Sequence, residues 1–178
     1  MRRPQIAVIG SAFTDPAILE PAEELGQLLI DAGWRIVCGG REGVMEAVCR
    51  GAHASEAYTE GATLGILPNL DGSTANSFCD IVVPTGLNFA RNALVVAAGD
   101  VVVAVAGASG TLSEIALAWQ YGKPIVALDQ GVGWAAKLAG TKLDERYARP
   151  IHRATSPRAV IAHIERLLPT VQAPKTIW

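Results

Sequence analysis

The chain has 178 residues, 50% of them apolar, and its 15 Lys and Arg against 17 Asp and Glu leave a net charge of −2. That length suits one domain with a sizeable core, and the faintly acidic balance offers no basic footprint for nucleic acid. The longest apolar stretches, such as Val101–Ala106 and Ala93–Ala98, are far too short to cross a bilayer.

From Met1 the chain runs through Arg2 and Arg3 straight into a short strand, with no signal-peptide core. Cys38, Cys49 and Cys79 are odd in number and lack CxxC spacing. A cytoplasmic protein with reduced thiols, used as small core or loop residues, is therefore expected. His53, His152 and His163 have no ligand spacing, and no metal site is expected.

In chain order, Gln5–Ile9 reads as a strand, and Pro16–Ala32 as a helix with Asp15 as N-cap, Pro16 at the first position and Gly33 ending it. Strand Arg35–Cys38 follows, then a helix with Val44, Ala47, Val48, Gly51 and Ala52 on one small apolar face. Strand Ala62–Leu67, an exposed loop of turn formers at Asn69–Asn76 and strand Ile81–Val83 come next. Helix Asn88–Ala98, strand Val101–Val105, helix Leu112–Tyr121 and strand Ile125–Leu128 complete the central alternation. A weak helix at Gly133–Leu138, a weaker strand at Ile151–Arg153 and helix Pro157–Leu168 close the domain, residues 1–169; residues 170–178, ending in Trp178, read as a tail. The alternation predicts an α/β, doubly wound, mainly parallel sheet of six or seven strands with helices on both faces.

In such sheets ligands bind beyond the carboxyl ends of the strands, where strand order reverses. Three strand-to-helix turns there are rich in small residues: Gly10-Ser11-Ala12, Gly39-Gly40-Arg41-Glu42-Gly43, and Ala106-Gly107-Ala108-Ser109-Gly110-Thr111. Small residues let backbone N–H groups approach an oxyanion, and a helix N-terminus adds partial positive charge. A phosphate-bearing small molecule is the expected ligand. No GxGxxG follows the first strand and no GxxxxGK[ST] occurs, which argues against a dinucleotide dehydrogenase and a P-loop NTPase. Gly107–Thr111 falls one residue short of the nucleophile elbow GxSxG, leaving a serine hydrolase with Asp129 and His152 as a remote choice.

Thr111-Leu112-Ser113-Glu114 has two readings. It is a capping box with Thr111 as N-cap, or Ser109, Gly110 and Thr111 cradle a phosphate while Glu114 faces the ligand. In either case a carboxylate in the first helical turn is expected to be an anion. Arg91 stands at the start of an apolar helix, where the dipole disfavours a cation, so a negative partner is expected: the ligand or Glu114. Arg41 is a weaker candidate of the same kind.

The run Ala106–Glu114 resembles the PGGxGTxxE signature of the LOG family, which includes phosphoribohydrolases that release a free base from cytokinin or purine nucleoside 5′-monophosphates. The resemblance implies a Rossmann-like fold and places that family's upstream arginine at Arg91 and its catalytic glutamate at Glu114. Cys38–Ala47, Gly65–Pro68, Thr85-Gly86-Leu87 and Ala90-Arg91-Asn92 are similar to the branch of that superfamily containing molybdenum cofactor carrier proteins. That likeness adds Thr85 and Gly86 to the expected ligand site, with molybdenum cofactor as cargo and no required cofactor. Ala106 stands where the hydrolases have Pro, Ala108 where they have Gly, and Asn92 where they have Lys, which favours a carrier over a hydrolase. The resemblance also implies a homo-oligomer, a dimer or dimer of dimers. Helices 88–98 and 112–121, apolar nearly all round, are its expected interface.

Overall fold

The computed structural model describes residues 2–12 and 15–171. Seven parallel strands form one sheet: β1 (Gln5–Gly10), β2 (Arg35–Cys38), β3 (Thr63–Leu67), β4 (Ile81–Pro84), β5 (Val101–Val105), β6 (Ile125–Leu128) and β7 (His152–Ala154), in the order β4-β3-β2-β1-β5-β6-β7. The chain winds outward from β1 to β4, returns to the far side of β1 and winds outward again, so strand order reverses between β1 and β5.

Six helices cover the two faces: α1 (Pro16–Asp31), α2 (Val44–His53), α3 (Asn92–Ala98), α4 (Ser109–Gln120), α5 (Gly133–Leu138) and α6 (Pro157–Leu167). Because side chains alternate along a strand, Val101, Val103 and Val105 of β5 join a core beneath α1, α2 and α6, while Val102 and Ala104 join another beneath α3, α4 and α5. Burial on both faces explains the unbroken apolar runs in the sequence. Asp15 caps α1 as expected, its side chain accepting from the Ala17 amide.

Several expectations shift. A single 3-10 turn, Asn88–Arg91, precedes α3, with Asn88 at φ 50°, so no continuous helix spans 88–98. Helix α4 starts at Ser109 instead of Leu112, and β7 lies one residue later than expected. The residues expected at an interface are partly core: Val95 and Ile115 are fully buried within the chain, whereas Leu94 is 42% and Phe89 84% exposed. Thr170 ends a 3-10 turn and Val171 packs against the core. The rest of the expected tail, Trp178 included, lies outside the described residues. Among the described residues no helix is long and apolar enough to cross a membrane.

Candidate functional site

The β1–β5 register sets Gly10 beside Val105, so the turns leaving these strands emerge side by side where strand order reverses. Between them opens a cleft of about 240 Å³, lined by Ser11, Gly39, Arg91, Ala108, Gly110, Thr111 and Glu114 among others. Its floor is the N-terminus of α4. Ala108 is the N-cap and makes no side-chain cap hydrogen bond, and no acidic residue stands in the first turn. The first intrahelical bond runs from the Leu112 amide to the Ala108 carbonyl, leaving the Ser109, Gly110 and Thr111 amides outside the helical ladder. Amides so placed, with the helix dipole behind them, suit an oxyanion.

The capping-box reading of Thr111–Glu114 is thereby overturned. Both residues lie inside α4, Thr111 tucked under Gly107, where a Cβ at that position would collide with its side chain. Gly107 also has φ +93°, a region L side chains rarely adopt. At Gly110 an added Cβ would meet nothing within 4 Å, because that position faces the open cleft.

Arg91 and Glu114 are brought together across the cleft, Arg91 Nη1 donating to Glu114 Oε1 at 3.3 Å, with only 12% and 8% of their side chains exposed. Of the two partners expected for Arg91, the intramolecular one is present. Gly39 makes this possible: a Cβ there would fall 2.5 and 2.6 Å from the guanidinium nitrogens. Arg91 Nε is buried and makes no hydrogen bond.

Glu114 is not the settled anion expected from a first-turn position. Burial pushes its carboxyl up to about 7, against the pull of Arg91. The dipole argument fails because α4 begins earlier, which carries Glu114 past the first turn and into the core. Asn92, in place of a lysine, donates through Nδ2 to Ser113 Oγ, which donates on to the Gly110 carbonyl, a neutral tie between α3 and α4.

Other expected site residues do not line this cleft. Gly40 (φ +70°) packs against Leu67 and Gly65, and Arg41 pairs with its neighbour Glu42 beside a separate surface hollow lined by Ser73–Ser77. Thr85 Oγ1 donates to the Leu67 carbonyl, and Gly86 packs against Leu70, so both shape the β4 exit. Ser109 opens α4 at the cleft's edge. Gly107 faces a second cleft of about 440 Å³ that shares Ser11 and Ala108 with the first and is lined also by Asp15, Gln130 and Val132. Asp129 pairs with Arg153, and His152 lies by His163 with its Nε2 making no hydrogen bond, so the bonded chain of a hydrolase triad is not formed.

Sequence reasoning missed Phe89, Met45 and Asn92 as lining residues. Phe89 had a signal: a large aromatic two residues before Arg91, the arginine already expected to need a partner. Met45 had none, because it reaches the cleft only through the packing of α2.

A parallel sheet reversing at β1–β5, with an uncapped helix N-terminus and a buried arginine–glutamate pair at that point, is a Rossmann-type domain with its candidate ligand site at the switch point. The chain belongs to the SLOG cluster4 family, which it matches over residues 3–161. It is similar to the molybdenum cofactor binding protein of Rippkaea orientalis (36% identity, TM-score 0.83, covering 94% of this chain and 99% of that one). It is also similar to the molybdenum cofactor carrier protein of Chlamydomonas reinhardtii (33%, TM-score 0.78, 94% and 99%). A Mycobacterium tuberculosis cytokinin riboside 5′-monophosphate phosphoribohydrolase is 32% identical over 125 residues, 65% of each chain.

Proposed function

We propose that this protein binds and carries a phosphorylated pterin- or nucleotide-type molecule, with molybdenum cofactor as the cargo. The observation that carries the reading is the uncapped N-terminus of α4 facing the Arg91 guanidinium across one cleft. The amides of Ser109–Thr111 would hold the phosphate oxygens, with Arg91 as counter-charge. Phe89, 84% exposed at the lip, offers an aromatic face to a planar heterocycle. The near full-length likeness to carrier proteins supports the same reading. The binding protein is taken to be cytoplasmic, and a homo-oligomer through the exposed apolar residues Leu87 and Leu94.

The second reading is a nucleoside 5′-monophosphate phosphoribohydrolase, favoured by the Arg91–Glu114 pair and the hydrolase relatives. Water would add at the sugar carbon as the C–N bond breaks, giving free base and ribose 5-phosphate. The transition state gathers positive charge on the ribose, which an anionic Glu114 would stabilise. Two features weigh against it. A carboxyl held at about 7 is only partly ionised at neutral pH. Ala106 also has φ 48°, a conformation closed to the proline that the hydrolases carry there.

Native mass spectrometry of anaerobically purified protein is expected to show a bound phosphorylated pterin. Gly110→Val is expected to lose it while melting at the temperature of ligand-free wild type, because the new side chain enters the cleft and not the core. Adenine release from AMP by the wild type, reduced about a hundredfold or more in Glu114→Gln, would replace the carrier reading with the hydrolase.

A further inference from the structure

Cys38, Cys49 and Cys79 are scattered in sequence, yet the fold gathers them. Cys38 ends β2, Cys49 lies within α2 and Cys79 precedes β4, and their three Sγ atoms all lie within 4.8 Å of one another. Cys38 Sγ and Cys49 Sγ are 3.7 Å apart, well beyond the roughly 2.05 Å of a disulfide. Thiolates bound at about 2.3 Å to one metal ion stand roughly 3.8–4.0 Å apart, depending on whether the geometry is tetrahedral or trigonal. The Cys38–Cys49 spacing is that of two ligands on one ion, and a small shift of the half-buried Cys79 would bring the third sulfur to it.

Neighbouring residues accommodate the cluster. Gly65 pairs in register with Cys38 across β2 and β3, and a Cβ on it would fall 2.8 Å from Cys79 Sγ, so only glycine leaves that sulfur its place. The Gly40 amide donates to Cys38 Sγ at 3.3 Å, as amides do to metal-bound thiolates. Cys38 and Cys49 are buried and Cys79 half-buried, which leaves a path from solvent at one corner.

We propose that Cys38, Cys49 and Cys79 form a three-sulfur site for one soft, thiophilic cation, with Cu(I) the ion that fits it best. Among the described residues the cluster contains no His, Asp or Glu to act as a fourth ligand. Structural zinc almost always takes four ligands, so three thiolates without a fourth suit Cu(I), which soft sulfur ligands bind. The site is distinct from the anion cleft but adjoins it. Cys38 precedes Gly39, the residue on which Arg91 rests, so a bound ion would brace β2, α2 and the segment before β4 behind the cleft wall.

The experiment is an anaerobic titration of reduced protein with Cu(I) in competition with bicinchoninate. One equivalent is expected to leave the chelator, with a rise in melting temperature. Cys79→Ser, at the half-buried position, is expected to lower Cu(I) affinity at least a hundredfold and abolish that rise. If that variant fails to fold, Cys49→Ala supplies the same comparison. Wild type that leaves Cu(I) on the chelator would overturn the proposal, as would equal retention by a folded Cys79→Ser. So would tighter binding of Zn(II) than of Cu(I), or a Cys38–Cys49 disulfide forming in air in protein that takes up no Cu(I).

Discussion

Two turns rich in small residues at the same sheet edge, one carrying Arg41 and the other faced by Arg91 from a separate segment, end in opposite roles. After β2, Arg41 stays near the surface and reaches only its neighbour Glu42 at 3.4 Å, the pair 35% and 56% exposed. Such a pair contributes little, and the glycines around it serve the fold: Gly40 lets β2 leave close to β3, and Gly43 approaches the Ser11 and Ala12 carbonyls. After β5, the turn opens a helix with uncapped amides, and Arg91, from a different segment, is buried opposite it against Glu114. Both turns are built of small residues, and only the first holds charged ones. What separates them is the strand-order reversal, which opens the cleft between the β1 and β5 turns and leaves Arg41 beside a separate surface hollow.

The largest expected effect is electrostatic and belongs to the β5 side alone. Burial holds the Glu114 carboxyl up to about 7, against a reference value of 4.5. Between those values the folded protein binds more protons than the unfolded chain. Its stability from this group therefore falls as pH rises through that window, and is constant on either side. Integrated, the loss is up to about 3 kcal/mol. Gln at this position cannot ionise, so Glu114→Gln should gain stability relative to wild type by up to about 3 kcal/mol between about pH 5 and about pH 8, measured by urea unfolding. Glu42→Gln should show no comparable gain. A pH-independent gap for Glu114→Gln would mean that Arg91 keeps the carboxylate ionised and that burial does not govern this pair.

Ligand affinity gives the next effect. Arg91→Ala removes a charge-assisted contact in a water-poor cleft and should weaken AMP or inorganic phosphate binding by about 10–100-fold. Arg41→Ala should leave it within about twofold, since that side chain faces a separate hollow. Isothermal titration of both variants decides the matter. Equal losses would place the anion beyond the cleft, between the two turns.

How much of this was legible in sequence follows the reach of each interaction. Strands β2, β5 and β6 have their expected bounds, because a continuous apolar run is a local record of burial on both faces. The start of α1 was legible because Asp15-Pro16 caps by local chemistry. The start of α4 was not. Thr111-x-x-Glu114 looks like a capping box only while the contact of Thr111 with Gly107, and of Glu114 with Arg91, is unknown. Arg91 was legible as a cation in need of a partner, whereas its seat on Gly39 required the fold. The gathering of Cys38, Cys49 and Cys79 had no local signal at all, since each comes from a different element.

The smallest expected effect tests where strain is kept. Beside β2 the left-handed position is taken by Gly40 at φ +70°, at no steric cost, whereas beside β5 it is taken by Ala106 at φ 48°. A left-handed alanine costs about 1–2 kcal/mol. Here it persists because the Trp134 and Ala135 amides at the start of α5 donate to the Gly107 and Ala106 carbonyls and pin the turn. Ala106→Gly should relieve that strain but adds backbone freedom to the unfolded chain and loses a buried methyl. The net gain should be no more than about 1 kcal/mol, with AMP affinity within about twofold. Gly40→Ala should act in the opposite sense, because its Cβ would meet Leu67 Cδ2 at 2.9 Å and the Gly65 Cα at 3.0 Å in a backbone region unsuited to it. Urea midpoints of the two variants give the comparison directly. A loss on Ala106→Gly as large as that on Gly40→Ala would show that the Ala106 methyl stabilises the turn more by packing than its backbone strains it.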